Sequence, residues 1–216
     1  MEKFSPVIEE KWLGRISYSE GLEIQNQFVC DRLENKTEDT LLLLEHDPVY
    51  TIGRTRDKSS LQKKEVELPY PVFETNRGGQ ATYHGPGQLI GYPILDLNFY
   101  KKDLHIYLRS IEKSLIDACE QFDIKATTRE GLTGVWCDNR KIASIGVGVR
   151  RWISMHGFAI NVSGDLKPFK EIIPCGIRDA EMTSIHQESK HKVSVKDFST
   201  VVSKSFKNAL LNLLSE

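Results

Sequence analysis

The chain has 216 residues, 39% hydrophobic and 27% charged, with 29 basic against 30 acidic side chains and a formal net charge of -1. That is the composition of a folded globular chain with one sizeable core, and a single domain over 1–216 is expected. The balanced charge argues against the counterion-driven bulk affinity that marks nucleic-acid binders, although Arg54, Arg56, Arg77, Arg150 and Arg151 are candidates for a local basic patch. No stretch is apolar for long enough to span a bilayer.

The first six residues lack the apolar core of a signal peptide, so none is expected. Cys30, Cys119, Cys137 and Cys175 show no CxxC spacing, so free thiols in a reducing cytoplasmic setting are expected, without metal or cofactor.

A first helix is predicted from Ser17, whose partner Glu20 completes a capping box, with Leu22, Phe28, Val29 and Leu33 as its apolar face. Strands follow at 40–45 and 49–53; the four leucines at 41–44 suit a fully buried strand. The segment 57–71 is polar, rich in lysine and closed by Pro69-Tyr70-Pro71, and is the best candidate for a mobile loop. Strands are predicted at 72–75 and 88–95, and a second helix begins near Asp103 with Leu104, Tyr107, Leu108, Ile111, Leu115 and Phe122 at helical spacing. Strands at 134–137, 141–149 and 157–162 precede a third helix capped by Ser194 and Asp197. This irregular order predicts an α+β fold, a mixed or mostly antiparallel sheet with flanking helices. The helices read as structural cover.

Three segments carry candidate chemistry. Residues 77–88 hold four glycines, a proline, Arg77 and His84. Glycines let a ligand approach the backbone, so Gly78 and Gly79 could offer N–H groups with Arg77 beside them, although composition alone favours a plain turn between two strands. The spacing fits neither a phosphate loop nor a dinucleotide fingerprint. Lys141 opens a small, apolar strand in which loss of solvation lowers a lysine's pKa and makes it a candidate base. Gly146 and Gly148 on that strand leave room for a slender apolar substrate. Cys175, between Pro174 and Gly176, is expected on a tight turn, where a thiolate makes a good nucleophile; the residues alone suit a small buried side chain equally well. A cysteine with a lysine or histidine partner suits acyl transfer through a thioester; a cysteine hydrolase uses the same parts. His84, His156 and Lys141 all remain candidates for the base.

Taken together, RGGQATYHGPGQLIGYPILDL at 77–97, KIASIGVGVRRWISMHGFAINV at 141–162 and IIPCGI at 172–177 resemble the lipoyl(octanoyl) transferases, and the likeness runs over roughly residues 10 to 190. The resemblance implies the fold of the biotin and lipoate protein ligases. It implies transfer of an octanoyl group from octanoyl-acyl carrier protein to a lysine of lipoyl domains, in 2-oxo acid dehydrogenase E2 subunits and the glycine-cleavage H protein. It places the acyl thioester on Cys175 with Lys141 as the partner that lowers its pKa. It assigns the acyl pocket to Arg77, Gly78, Gly79, Gln80, Ala81, Thr82, Tyr83 and His84, with Ser144, Ile145, Gly146, Gly157, Phe158 and Ala159. Two competing readings are an ATP-dependent lipoate–protein ligase, which needs no nucleophilic cysteine, and a non-catalytic acyl-carrier or lipoyl-domain binding module.

Overall fold

The computed structural model describes residues 7–174 and 181–214. Its larger sheet runs in the order β1 (Ile8–Ile16), β2 (Asp39–His46), β6 (Gln88–Ile94), β10 (Ile153–Asn161), β9 (Arg140–Arg150), β8 (Leu132–Cys137), β7 (Thr127–Arg129). β1 lies parallel to β2 and the next five pairings are antiparallel, while the two-residue β11 (Glu181–Met182) adds to β9 in parallel. A smaller sheet places β3 (Val49–Ile52) between β4 (Val72–Glu74) and β5 (Thr82–His84). The helices are α1 (Tyr18–Leu33), α2 (Leu104–Glu120), the short α3 (Ile185–Glu188) and α4 (Val195–Leu211). The expected α+β fold with a mixed sheet and flanking helices is therefore the one observed.

The leucine run shows why the sheet sits where it does. Leu41 and Leu43 join the core under α2 and α4, while Leu42 and Leu44 join a second core under α1. All four are fully buried, since a strand covered on both faces must be apolar without alternation. Each such leucine contributes about 2–5 kcal/mol against truncation to alanine. A third cluster, around Tyr50, Ile52, Ala81, Tyr83, Phe169 and Ile172, fills the space under the smaller sheet.

All three predicted helix starts are present as side-chain caps. Ser17 accepts from Glu20 N, Asp103 from His105 N and Ile106 N, and Ser194 from Asp197 N. Of the expected apolar face of α1, Val29 is buried and Phe28 and Leu33 pack against the same core, while Leu22 is left partly exposed and Gly21, Gln25 and Arg32 also turn inward. Arg32 can be buried because its Nε meets Asp39 at 2.8 Å, and Asp39 also receives the Tyr100 hydroxyl at 2.9 Å.

The segment 57–71 is not a featureless loop. It forms short 3-10 turns at Lys58–Ser60 and Glu65–Glu67, and Ser60 O accepts from Ile173 N at 2.7 Å. Strands β1, β5, β7 and β11 were not anticipated, and β10 begins four residues earlier than expected. The turn before β10 is made by Arg151 and Trp152, both at positive φ, without the asparagine or glycine that advertises such turns.

Candidate active site

The glycine-rich segment is clamped from two sides. Arg77 O accepts from Arg54 N at 2.8 Å, and Gly78 N donates to Val147 O at 3.0 Å, so the chain just past β3 and strand β9 hold it between them. Glycine is required on both flanks. A methyl group at Gly53 would stand 1.8 Å from the Gly79 carbonyl oxygen, and one at Gly146 would stand 2.7 Å from that of Gly78. The Arg77 guanidinium folds back into this clamp. It donates to Gly78 O at 2.9 Å, to Gln80 O at 2.8 Å and to the Thr51 carbonyl and hydroxyl at 2.7 and 2.8 Å. Arg77 thus shapes the loop, and the expected basic patch loses its central member to the interior.

A narrow cavity opens beneath this clamp. Of the predicted pocket residues, Arg77, Gly79, Thr82, His84, Ser144, Ile145, Gly146, Gly157, Phe158 and Ala159 line it. Gly78, Gln80, Ala81 and Tyr83 do not. Gly78 faces a neighbouring groove, and Gln80 reaches Asp57. Alternation along β5 turns Tyr83 away, into the third apolar cluster with Ala81. Tyr18, Ile90, Tyr92 and His156 complete the lining. Tyr18 and Tyr92 went unnoticed in the sequence because each resembles an ordinary core aromatic.

Three histidines are packed at this wall: His46, His84 and His156. Burial, the largest cause, pushes their pKa values down from 6.5 to about 4, 3 and 4 respectively; a weaker push on His84 comes from His46, and on both His84 and His156 from Arg77. Burial holds each neutral, and defined partners orient each ring. His46 Nδ1 donates to Ile16 O, leaving Nε2 to accept from the Tyr92 hydroxyl at 2.7 Å. His156 Nε2 contacts Asn76 Oδ1 at 2.5 Å, and its backbone N–H donates to Gln25 Oε1 of α1. His156 also takes a φ of 54° within β10, backbone strain of the kind that collects at functional sites.

His84 sits inside a chain of donors. Arg77 donates to the Thr51 hydroxyl, which donates to His84 Nε2 at 3.3 Å; His84 Nδ1 donates to Gln88 Oε1 at 2.8 Å. Gln88 continues to Asn161 Oδ1 at 2.9 Å, and Asn161 to Thr183 O at 2.9 Å. Both ring nitrogens of His84 are therefore engaged by the protein.

Lys141 is fully buried. Its Nζ donates to Thr133 O at 3.0 Å and stands 5.2 Å from the centre of the Trp136 ring. Thr133 lines the neighbouring groove, which shares Gly79, Ile145 and Gly146 with the cavity. Cys175 lies outside the described residues. The chain before it is fixed through Ile173, and the chain after it pairs Met182 with Lys141 and sends Thr183 N to Lys141 O at 3.0 Å. Cys119 and Cys137 are buried, and burial raises both thiols, Cys137 to about 12. Among the described residues, no cluster of three or more histidine, cysteine or acidic side chains forms a metal site, and no helix is long and apolar enough to cross a membrane.

Comparison with known proteins gives a consistent pattern. The family described as Lipoyl protein ligase A/B catalytic domain matches residues 17–207. An octanoyltransferase of Citrifermentans bemidjiense is 49% identical over 203 residues, covering 94% of this chain and 97% of its own. An octanoyltransferase of Geobacter sulfurreducens is 45% identical over 204 residues, covering 94% of this chain and 85% of its own. The bi-partite lipoate protein ligase of Thermoplasma acidophilum has the same fold, with a TM-score of 0.69 at 14% identity over 95% of this chain and 85% of its own. A biotin protein ligase of Aquifex aeolicus follows at 0.56 and 15% identity over 95% and 70%.

Proposed function

Because the chain belongs to the lipoyl protein ligase A/B catalytic family, and within it to the octanoyltransferases, which are acyltransferases, we propose that it moves an octanoyl group in two steps through a thioester on Cys175. The donor is octanoyl-acyl carrier protein. The acceptor is the lysine of a lipoyl domain, in 2-oxo acid dehydrogenase E2 subunits and the glycine-cleavage H protein. The reaction is set in the cytoplasm.

In the first step the Cys175 thiolate attacks the donor carbonyl. A new C–S bond forms, the old one breaks, and the carrier leaves as its thiol after taking a proton. One thioester replaces another, so no nucleotide is consumed. In the second step the acceptor amine attacks the Cys175 thioester, a C–N bond forms, the C–S bond breaks, and the amine proton passes by way of Lys141 to the departing sulfur. As an ammonium, Lys141 favours the thiolate by charge; as an amine, it takes the proton. The acyl chain occupies the cavity between the 77–84 segment and β9–β10, where Ile90, Ile145, Phe158 and Ala159 supply apolar wall. Its depth sets chain-length preference, at about 1–3 kcal/mol per methylene.

The observation that carries this reading is the placement of Lys141. A buried lysine, its Nζ on a backbone carbonyl beside the groove, is paired in register with the strand that follows the Cys175 segment. The test is the intact mass of the protein after brief incubation with octanoyl-acyl carrier protein alone. One octanoyl adduct is expected, removable by neutral hydroxylamine, absent from Cys175→Ala and discharged by an added lipoyl domain. Modification of the lipoyl domain by Cys175→Ser at the native rate, with ATP and free acid as substrates, would replace this reading by the ligase one.

A further inference from the structure

We propose that Glu112, on α2, is a positioning residue that sets Lys141 through the peptide group joining Thr133 to Gly134; the inference rests on the role given to Lys141 above. Glu112 is almost fully buried, an unusual place for a carboxylate on a helix whose neighbours Arg109 and Lys113 face solvent. One of its oxygens accepts from Gly134 N at 3.0 Å, and the other meets Arg109 at 2.5 Å. The carbonyl on the other side of the same peptide, Thr133 O, accepts from Lys141 Nζ at 3.0 Å. A single peptide plane is thus held at its N–H end by an acid and at its C=O end by the lysine. Hydrogen bonds in such a series polarise one another, so the acid strengthens the carbonyl as an acceptor and fixes the direction in which it points.

The local backbone is built around this arrangement. Gly134 has a φ of +131°, and the register between β8 and β9 shifts between Val135 and Trp136. A methyl group at Gly134 would stand 2.6 Å from Lys141 Cε, so the lysine side chain crosses β8 at the one residue without a side chain. The irregular peptide needs an outside partner for its N–H, and Glu112 provides it.

Two substitutions separate reach from charge. Glu112→Gln keeps an oxygen at the right distance without the charge; Glu112→Asp keeps the charge but withdraws the oxygen by one methylene. For octanoyl transfer to a lipoyl domain, Glu112→Gln is expected to retain kcat within about threefold. Glu112→Asp is expected to lose about 10- to 100-fold in kcat at little-changed KM, since small displacements of a reacting group have effects of this size. Single-turnover rates of Glu112→Asp in a Lys141→Ala background should show no further loss. A native kcat in Glu112→Asp, or a loss that adds in full to that of Lys141→Ala, overturns the proposal. A native rate in Lys141→Ala alone overturns instead the role of Lys141 on which it rests. Melting temperatures of all four variants identify any that fail to fold; if Glu112→Asp does, Glu112→Asn, which shortens the reach by the same methylene without burying a charge, carries the same kcat comparison and the same overturning result.

Discussion

Replacing His84 by glutamine is expected to make the protein less sensitive to mild acid. In the native state burial holds the pKa of His84 at about 3, while in the unfolded chain it returns to the ordinary 6.5. Between those values the unfolded chain binds a proton that the native state refuses, so stability falls as pH falls from about 7 toward 3. Each pH unit inside the window is worth about 1.4 kcal/mol per group. Between pH 7.5 and 5.5 His84 therefore costs about 1.4 kcal/mol, and His46 and His156, each held at about 4, cost a similar amount. Together that is about 4 kcal/mol, a large part of a typical stability of about 5–15 kcal/mol. Urea unfolding at the two pH values measures the difference directly, in a range above most carboxylate titrations. The native protein should lose about 1.4 kcal/mol more than His84→Gln over this interval. Equal losses in the two proteins would show that His84 accepts its proton in the folded state, and the account of its burial would fail.

Gly146→Ala is expected to press on the Gly78 carbonyl, 2.7 Å from the added methyl, at a cost of about 1–3 kcal/mol. The displaced wall should slow acyl loading from an octanoyl donor more than from a butanoyl donor; intact-mass time courses with the two donors check this, and an equal effect on both would place the strain away from the cavity. Thr51→Val removes the hydroxyl between Arg77 and His84. An orphaned buried donor costs about 1–3 kcal/mol, so the melting temperature should fall by several degrees, and an unchanged value would show that the Arg77 contact to the Thr51 carbonyl suffices.

The parts legible in the sequence were those governed by local rules. Ser17, Asp103 and Ser194 announce helices because a cap needs only residues three apart, and Leu41 to Leu44 announce a strand buried on both faces. The cavity walls came from the resemblance of the 77–97 and 141–162 segments to a known family, since glycine density by itself reads as a turn. Other features depend on distant partners. The apolar side of α1 is legible, but the burial of Arg32 and Gln25 on it is not, because their partners, Asp39 and the His156 backbone, lie outside the helix. Strand β5 is three residues long, and only its pairing with β3 defines it. Glu112 looks in sequence like one more acid on an amphipathic helix, and its task appears only when β8 presents Gly134 to it. Lys141 stands out in the sequence as a lysine among apolar neighbours, but its carbonyl partner and the aromatic ring beside it come from another strand.

The run of hydrogen bonds from Arg77 to Thr183 has a direction, because it starts at a group that can only donate and ends at one that can only accept. No member can reverse alone: turning the His84 ring or moving its proton to the other nitrogen would set donor against donor at Thr51 or leave Gln88 facing a lone pair. The ring is thereby removed from proton traffic and acts as a fixed spacer. The result is a one-way tie between the loop that roofs the cavity and the strand beside Lys141, so a disturbance at either end must be borne along its whole length.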